Sequence, residues 1–162
     1  MLREKADLYE SRGRFQESLV TYAMEDEALA LLKLGRPKEA APLATTALEH
    51  RPDSYERTAL LAAIDFKLGD YSEAEQLAQQ STTKMSKAVL TNPNAGSVRL
   101  TLIAAATRLH DETIKKSALA DLTDSLPTLT SIGAIRKWMS PQANLYGYEP
   151  LLDGLRLAGI PE

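Results

Sequence analysis

The chain has 162 residues, 44% of them hydrophobic and 25% charged, which is enough to bury one core in a single domain. Its formal net charge is -3, with acidic and basic residues interspersed, so no basic stripe offers itself to nucleic acid and no nucleic-acid partner is expected. The absence of cysteine excludes disulfides, thiolate chemistry and the usual zinc frameworks.

The first stretch, MLREKADLYE, has no apolar signal core, and nowhere do apolar residues run to the roughly 20 needed to cross a bilayer. A cytoplasmic location and no membrane partner are therefore expected. Leu2 to Arg12 reads as a short helix stopped by Gly13. From Arg14 to Leu34 no proline or glycine intervenes, so this stretch is either one helix or two broken near Glu25-Asp26-Glu27. Read as a truncated repeat it leaves an apolar face uncovered, and the alternative is a long helix that packs on a second subunit as a homodimer.

A phrase then occurs twice, LGRPKEA at Leu34 to Ala40 and LGDYSEA at Leu68 to Ala74, setting Gly35 and Gly69 34 residues apart. Each glycine is expected to end a helix in the left-handed conformation, with Pro37 or Asp70-Tyr71 starting the next. Ala40, Ala44 and Ala47, and then Ala74, Ala78 and Ser81, recur on one face and allow close helix approach. Pro52 closes the first unit, and Asp53 with Glu56 reads as a capping box for a helix over Ser54 to Leu68. The next helix is expected from Tyr71 to about Leu90, with Asn92 to Gly96 as a loop and Ser97 capping a helix to Leu109. His110-Asp111 stands where earlier turns have glycine, and Glu112 to Leu126 places Ile114, Ala118 and Leu122 inward. After Pro127, Thr130 or Ser131 caps a short helix with Ile132, Ile135 and Met139. Ser140 to Gly147 is loop, and Glu149 to Ala158 is a last helix ended by Gly159.

Gly35, Ala40, Ala47 and Pro52, with Gly69, Tyr71 and Ala74, resemble the tetratricopeptide repeat family over roughly Tyr22 to Pro127. Asp65, Ala44 and Ala78 depart from that family's bulky residues. The resemblance implies an all-α fold: a tetratricopeptide-like helical repeat, in which two-helix units stack as a right-handed α-α superhelix, followed by a C-terminal capping tail. The expected division is a partial repeat over 1–21, repeats over about 22–53, 54–95 and 96–127, and a capping segment over 128–162 that uses Trp138, Leu151, Leu152, Leu155 and Ile160.

SLPTLTSIGAIRKWM (Ser125 to Met139) and YEPLLDGLRLAGIPE (Tyr148 to Glu162) resemble the end of the tetratricopeptide region in bacterial class III adenylate cyclase-like signalling proteins. Similar tails follow winged-helix transcriptional regulators. Gly154, Leu155, Arg156, Ala158, Gly159, Ile160, Pro161 and Glu162 carry the phrase. The resemblance implies a regulatory C-terminal region, with any cyclase activity in a longer protein.

No catalytic constellation, metal site or cofactor is expected. His50 and His110 lack a second ligand at helical spacing, and Asp65 has no histidine or second carboxylate within helical reach. Lys33, Lys67 and Arg108 each lie two residues before a turn, so stacking aligns them in a basic row beside a groove that also holds Tyr22, Phe66 and Thr107. Such a groove suits a protein or peptide partner, an acidic one in particular. The alternative is a small-molecule sensory pocket between groove and tail near Trp138 to Tyr148, with Arg136, Tyr146 and Tyr148 as its polar groups.

Overall fold

The computed structural model describes the backbone of residues 2–85, 93–139 and 149–162, and the side chains of residues 18–85, 96–139 and 149–162. The described residues form helices and connecting turns, with no strand among them: α1 Leu2–Lys33, α2 Pro37–His50, α3 Tyr55–Leu68, α4 Tyr71–Lys84, α5 Pro93–Arg108, α6 Glu112–Ser125, α7 Ile132–Met139 and α8 Glu149–Leu157. Each helix from α1 to α5 packs on the one that follows it. α3 also packs on α5, α1 touches α3, and α8 lies on α5 and meets α7. The chain is thus an all-α helical repeat of tetratricopeptide type.

The repeated phrase works as a helix stop. At the first turn Gly35 N donates to Leu32 O at 3.1 Å and Arg36 N to Leu31 O at 2.9 Å, and at the second Gly69 N reaches Phe66 O at 3.2 Å and Asp70 N reaches Asp65 O at 2.9 Å. This paired closure satisfies carbonyls that the helix leaves open, and it needs a positive φ at the pivot. Gly35 (75°) and Gly69 (90°) supply it, and His110 supplies it without glycine at 57°. There His110 N bonds Thr107 O at 3.2 Å and Asp111 N bonds Ala106 O at 2.9 Å, so the third turn keeps the same closure.

The small-residue faces pack as expected. Ala40, Ala44 and Ala47 on α2, and Ala74, Ala78 and Ser81 on α4, are at most 1% exposed. Ser81 Oγ also donates to Tyr55 O at 2.8 Å, which ties α4 to the start of α3.

Four local expectations are corrected. α1 does not stop at Gly13, since an interior glycine weakens a helix by only about 1 kcal/mol relative to alanine; it runs as one helix of 32 residues, which is the unbroken one of the two courses open for Arg14 to Leu34. The cap of α3 is Ser54 rather than Asp53: Ser54 Oγ accepts from Arg57 N at 3.3 Å and donates to Glu56 Oε2 at 2.9 Å, while Ser54 N bonds Arg51 O, so the helix is capped without a reciprocal box. α4 ends at Lys84, with Met85 extended. Thr82 and Thr83 hydroxyls both bond Gln79 O, a local competition that weakens helix continuation. Residues 86–92, where the helix was expected to go on, lie outside the described residues. Finally, α5 begins at Pro93, because proline is well suited to a first helical position. Gly96 and Ser97 are therefore inside a helix and not a loop and a cap.

Two apolar clusters result. The smaller joins Ala28 and Leu32 of α1, Ala40 and Ala44 of α2, and Leu60, Ala63 and Ile64 of α3. The larger begins at Ala59, Ala62 and Phe66 of α3 and continues through α4, α5 and α6 to Ile132, Ile135 and Met139 of α7 and Leu151, Leu152 and Leu155 of α8. Its far end is closed by contacts that only glycine permits. A Cβ on Gly154 would stand 2.7 Å from the Ala104 Cβ, and one on Gly96 would meet the Trp138 ring at 2.2 Å. Ser131 Oγ caps α7 by accepting from Ala134 N at 3.1 Å. Ile132 N donates to Pro161 O at 2.7 Å, which fastens the end of the chain to the start of α7.

Candidate functional site

The structure separates the six residues expected to share a groove. Lys33, Lys67 and Arg108 sit at the C-terminal ends of α1, α3 and α5, each immediately before a leucine and two residues before a positive-φ pivot. Leu34 is 70% and Leu109 40% exposed, whereas Leu68 is half-buried against the smaller cluster, so the cation recurs at all three turns and an exposed leucine at the outer two. Each cation has a different environment. Lys33 is exposed. Lys67 is half-buried and its Nζ donates to Leu32 O at 2.9 Å, joining α3 to the last turn of α1. Burial lowers its ammonium below the ordinary lysine range. The guanidinium of Arg108 stands 5.9 Å from the Tyr71 ring, and its Nε is buried with no protein partner.

The other three differ. Thr107 is half-buried and its hydroxyl donates to Ile103 O at 2.6 Å within α5. Phe66 is a correction: it is 3% exposed and packs against Tyr71 with ring centroids 5.2 Å apart, so it belongs to the core and presents no ring to a groove. Its place next to Lys67 put it one helical step too far round. Tyr22 is half-exposed but lies 11 residues before Lys33 on α1, about 16 Å along the axis. It faces the start of α3, not the end.

There Tyr22 belongs to a cleft of about 730 Å³ between α1 and the α2–α3 connection. Its charged floor is Arg57, whose side chain is 2% exposed. Arg57 Nε donates to Glu25 Oε2 at 3.0 Å and Nη1 to Ala47 O at 2.6 Å. The Tyr22 ring covers the guanidinium at 5.4 Å, and the Tyr22 hydroxyl accepts from Arg51 Nη1 at 2.9 Å. The sequence reading missed Arg57, Arg51 and Glu25. One trace existed: Arg57 lies 32 residues after Glu25, close to one repeat, so stacking brings the oppositely charged pair together.

Asp65 is buried on α3, and its carboxyl is pushed up to about 6, first by burial and then by the neighbouring charges of Glu73 and Asp70. No second carboxylate lies within helical reach of Asp65 on α3, and the two whose charges act on it come from the turn after Gly69 and the start of α4. Among the described residues no group of three histidines, aspartates or glutamates is placed to hold a metal. Of the residues expected to line a pocket near the tail, Arg136 bonds Glu149 at 2.9 Å across α7 and α8, while Tyr146 and Tyr148 lie outside the described residues. No helix of the described residues is long and apolar enough to cross a membrane.

Stacked two-helix units with a shared turn closure define a helical-repeat protein. The tetratricopeptide repeat family model matches residues 31–88, from the last turn of α1 past the end of α4. No curated protein matches the chain in sequence. Repeats of this kind generally mediate protein–protein interactions.

Proposed function

We propose that the chain is an interaction module that holds an extended or helical acidic segment of a partner protein along the edge formed by the ends of α1, α3 and α5. The observation that carries this reading is the recurrence of a cation at successive turns, Lys33, Lys67 and Arg108, with the exposed Leu34 and Leu109 beside the outer two. A segment with acidic and apolar residues would meet both at the repeat spacing, with side-chain burial giving affinity and charge giving register. Replacing Lys33 and Lys67 together by glutamate should weaken capture of such a peptide at least tenfold; because Lys67 Nζ also bonds Leu32 O, the exposed Lys33→Glu alone is the change expected to weaken capture while leaving thermal unfolding nearly unchanged. Equal capture by the double variant would remove the basic edge as the site.

The setting we favour is the regulatory C-terminal region of a cyclase-like signalling protein, with the repeat region of a winged-helix regulator as the alternative. It is supported by the tail, whose two phrases form α7 and α8 and are joined by the bond from Ile132 N to Pro161 O. Those helices would form the capping segment over 128–162. Self-association through α1 also belongs to this reading. At 1.5 Å per residue, α1 spans about 48 Å and α2 only about 21 Å, and Leu19, Val20 and Tyr22 are half-exposed on the longer helix. Light scattering of the purified chain should give twice the monomer mass, and a monomer at high concentration would end the dimer reading.

A further inference from the structure

The cleft between α1 and the start of α3 has a character of its own, at the opposite end of the helices from the basic edge. Its buried guanidinium, Arg57, has committed Nε and Nη1, but Nη2 is buried without a hydrogen-bond partner in the protein. A donor in that condition is strongly unfavourable unless an acceptor reaches it. Arg51 stands beside it through Tyr22, and Ser54 to Arg57 at the start of α3 line the same space, where a helix N-terminus favours negative charge even though Ser54 Oγ already caps Arg57 N. These features favour an oxyanion.

Three carboxylates line the same cleft, Glu25, Asp53 and Glu56. A simple anion would face them as well as the arginines, and a simple cation would leave Arg57 Nη2 without an acceptor. A ligand that carries both charges a few ångströms apart satisfies both sets. The half-exposed Tyr22 ring lies over the guanidinium, so a ligand that reaches Nη2 must turn that ring aside. We propose that this cleft binds a small zwitterion of the α-amino-acid type, its carboxylate on Arg51, Arg57 and the α3 first turn, and its ammonium on the facing carboxylates. The proposal goes beyond the interaction-module reading and does not rest on it.

The test is a thermal-shift screen of the full chain against each of the 20 free L-amino acids at millimolar concentration, with calorimetric titration of those that stabilise it. At least one amino acid should bind. Its carboxamide and its N-acetyl derivative should each bind at least tenfold more weakly, because each lacks one of the two charges. Arg51→Gln, an exposed change whose fold is checked by circular dichroism, should weaken the free amino acid by a similar factor, whereas the Lys33→Glu, Lys67→Glu double variant should bind it normally. No stabilisation by any amino acid overturns the proposal. So does a carboxamide that binds as tightly as the free acid, or an Arg51→Gln chain that binds like the parent. Because the groove reading is read out with peptide and the double lysine variant, either idea can fail alone.

Discussion

The two ends of the repeat stack handle the same problem differently. At the C-terminal end the apolar face of α5 is covered by α8, where Leu151, Leu152 and Leu155 are at most 3% exposed and Gly154 lets the helices touch. At the N-terminal end α1 outruns α2, Leu19 and Val20 stand 54% and 53% exposed, and the local cluster is small. A stack of two-helix units always leaves an apolar face at each end. One here is closed by the chain's own tail; beside α1 the described residues show polar stitching, Arg57 to Glu25 and Ala47, next to the smaller apolar cluster.

The most severe way to test that asymmetry is truncation. Removing residues 149–162 should abolish cooperative unfolding and produce aggregates in light scattering, while removing residues 2–17 should leave the melting temperature within about 4 °C, a change of about 1 kcal/mol for a chain of this size. A well-behaved truncation at the C-terminal end would show that α8 closes nothing.

Single leucines sharpen the same contrast. Leu155→Ala in the larger cluster should destabilise by about 4 kcal/mol, and Leu32→Ala in the smaller, more yielding one by about 2 kcal/mol, both read from denaturant unfolding. Equal losses would mean that the two clusters are equally rigid.

Asp65 tests the boundary between them, since Ile64 belongs to the smaller cluster and Phe66 to the larger. Its carboxyl is held near 6, above the ordinary 3.8, so the folded chain favours the neutral form. The stability this contributes is complete below pH 4 and is lost as the pH rises through 6. Asp65→Asn should therefore raise the melting temperature by about 2–4 °C at pH 7.5, equivalent to about 1 kcal/mol, and give no gain at pH 4. A gain that is the same at both pH values would place the effect in packing rather than charge. The smallest effect concerns the third turn. His110→Gly should stabilise by up to about 1 kcal/mol, because a residue with a Cβ resists the left-handed conformation, with thermal unfolding as the readout.

Much of this architecture was legible in the chain because it depends on neighbours in sequence. A glycine after a leucine closes a helix by local backbone bonds, so the turns at Gly35 and Gly69 could be read directly. The turn at His110 could be inferred from the repeat interval. Helix ends without such a stop were misread: Gly13, Met85 and Pro93 each carry a local preference too weak to fix a boundary against packing. The candidate site was less legible still. The basic edge follows from repeat spacing, yet the sequence placed Phe66 and Tyr22 beside it, although one is core and the other lies about 16 Å away along α1.

The sequence by itself determined the two-helix unit, its turns, its small-residue faces and the apolar tail, because each rests on periodicity within a few tens of residues. Only the tertiary structure decided that Arg57 is buried against Glu25, that Asp65 meets Asp70 and Glu73, and that α8 seals α5 through Gly154. Those pairings depend on how far one helix is rotated and slid against another. That rotation is set by the summed packing of all the helices and not by any single stretch of chain.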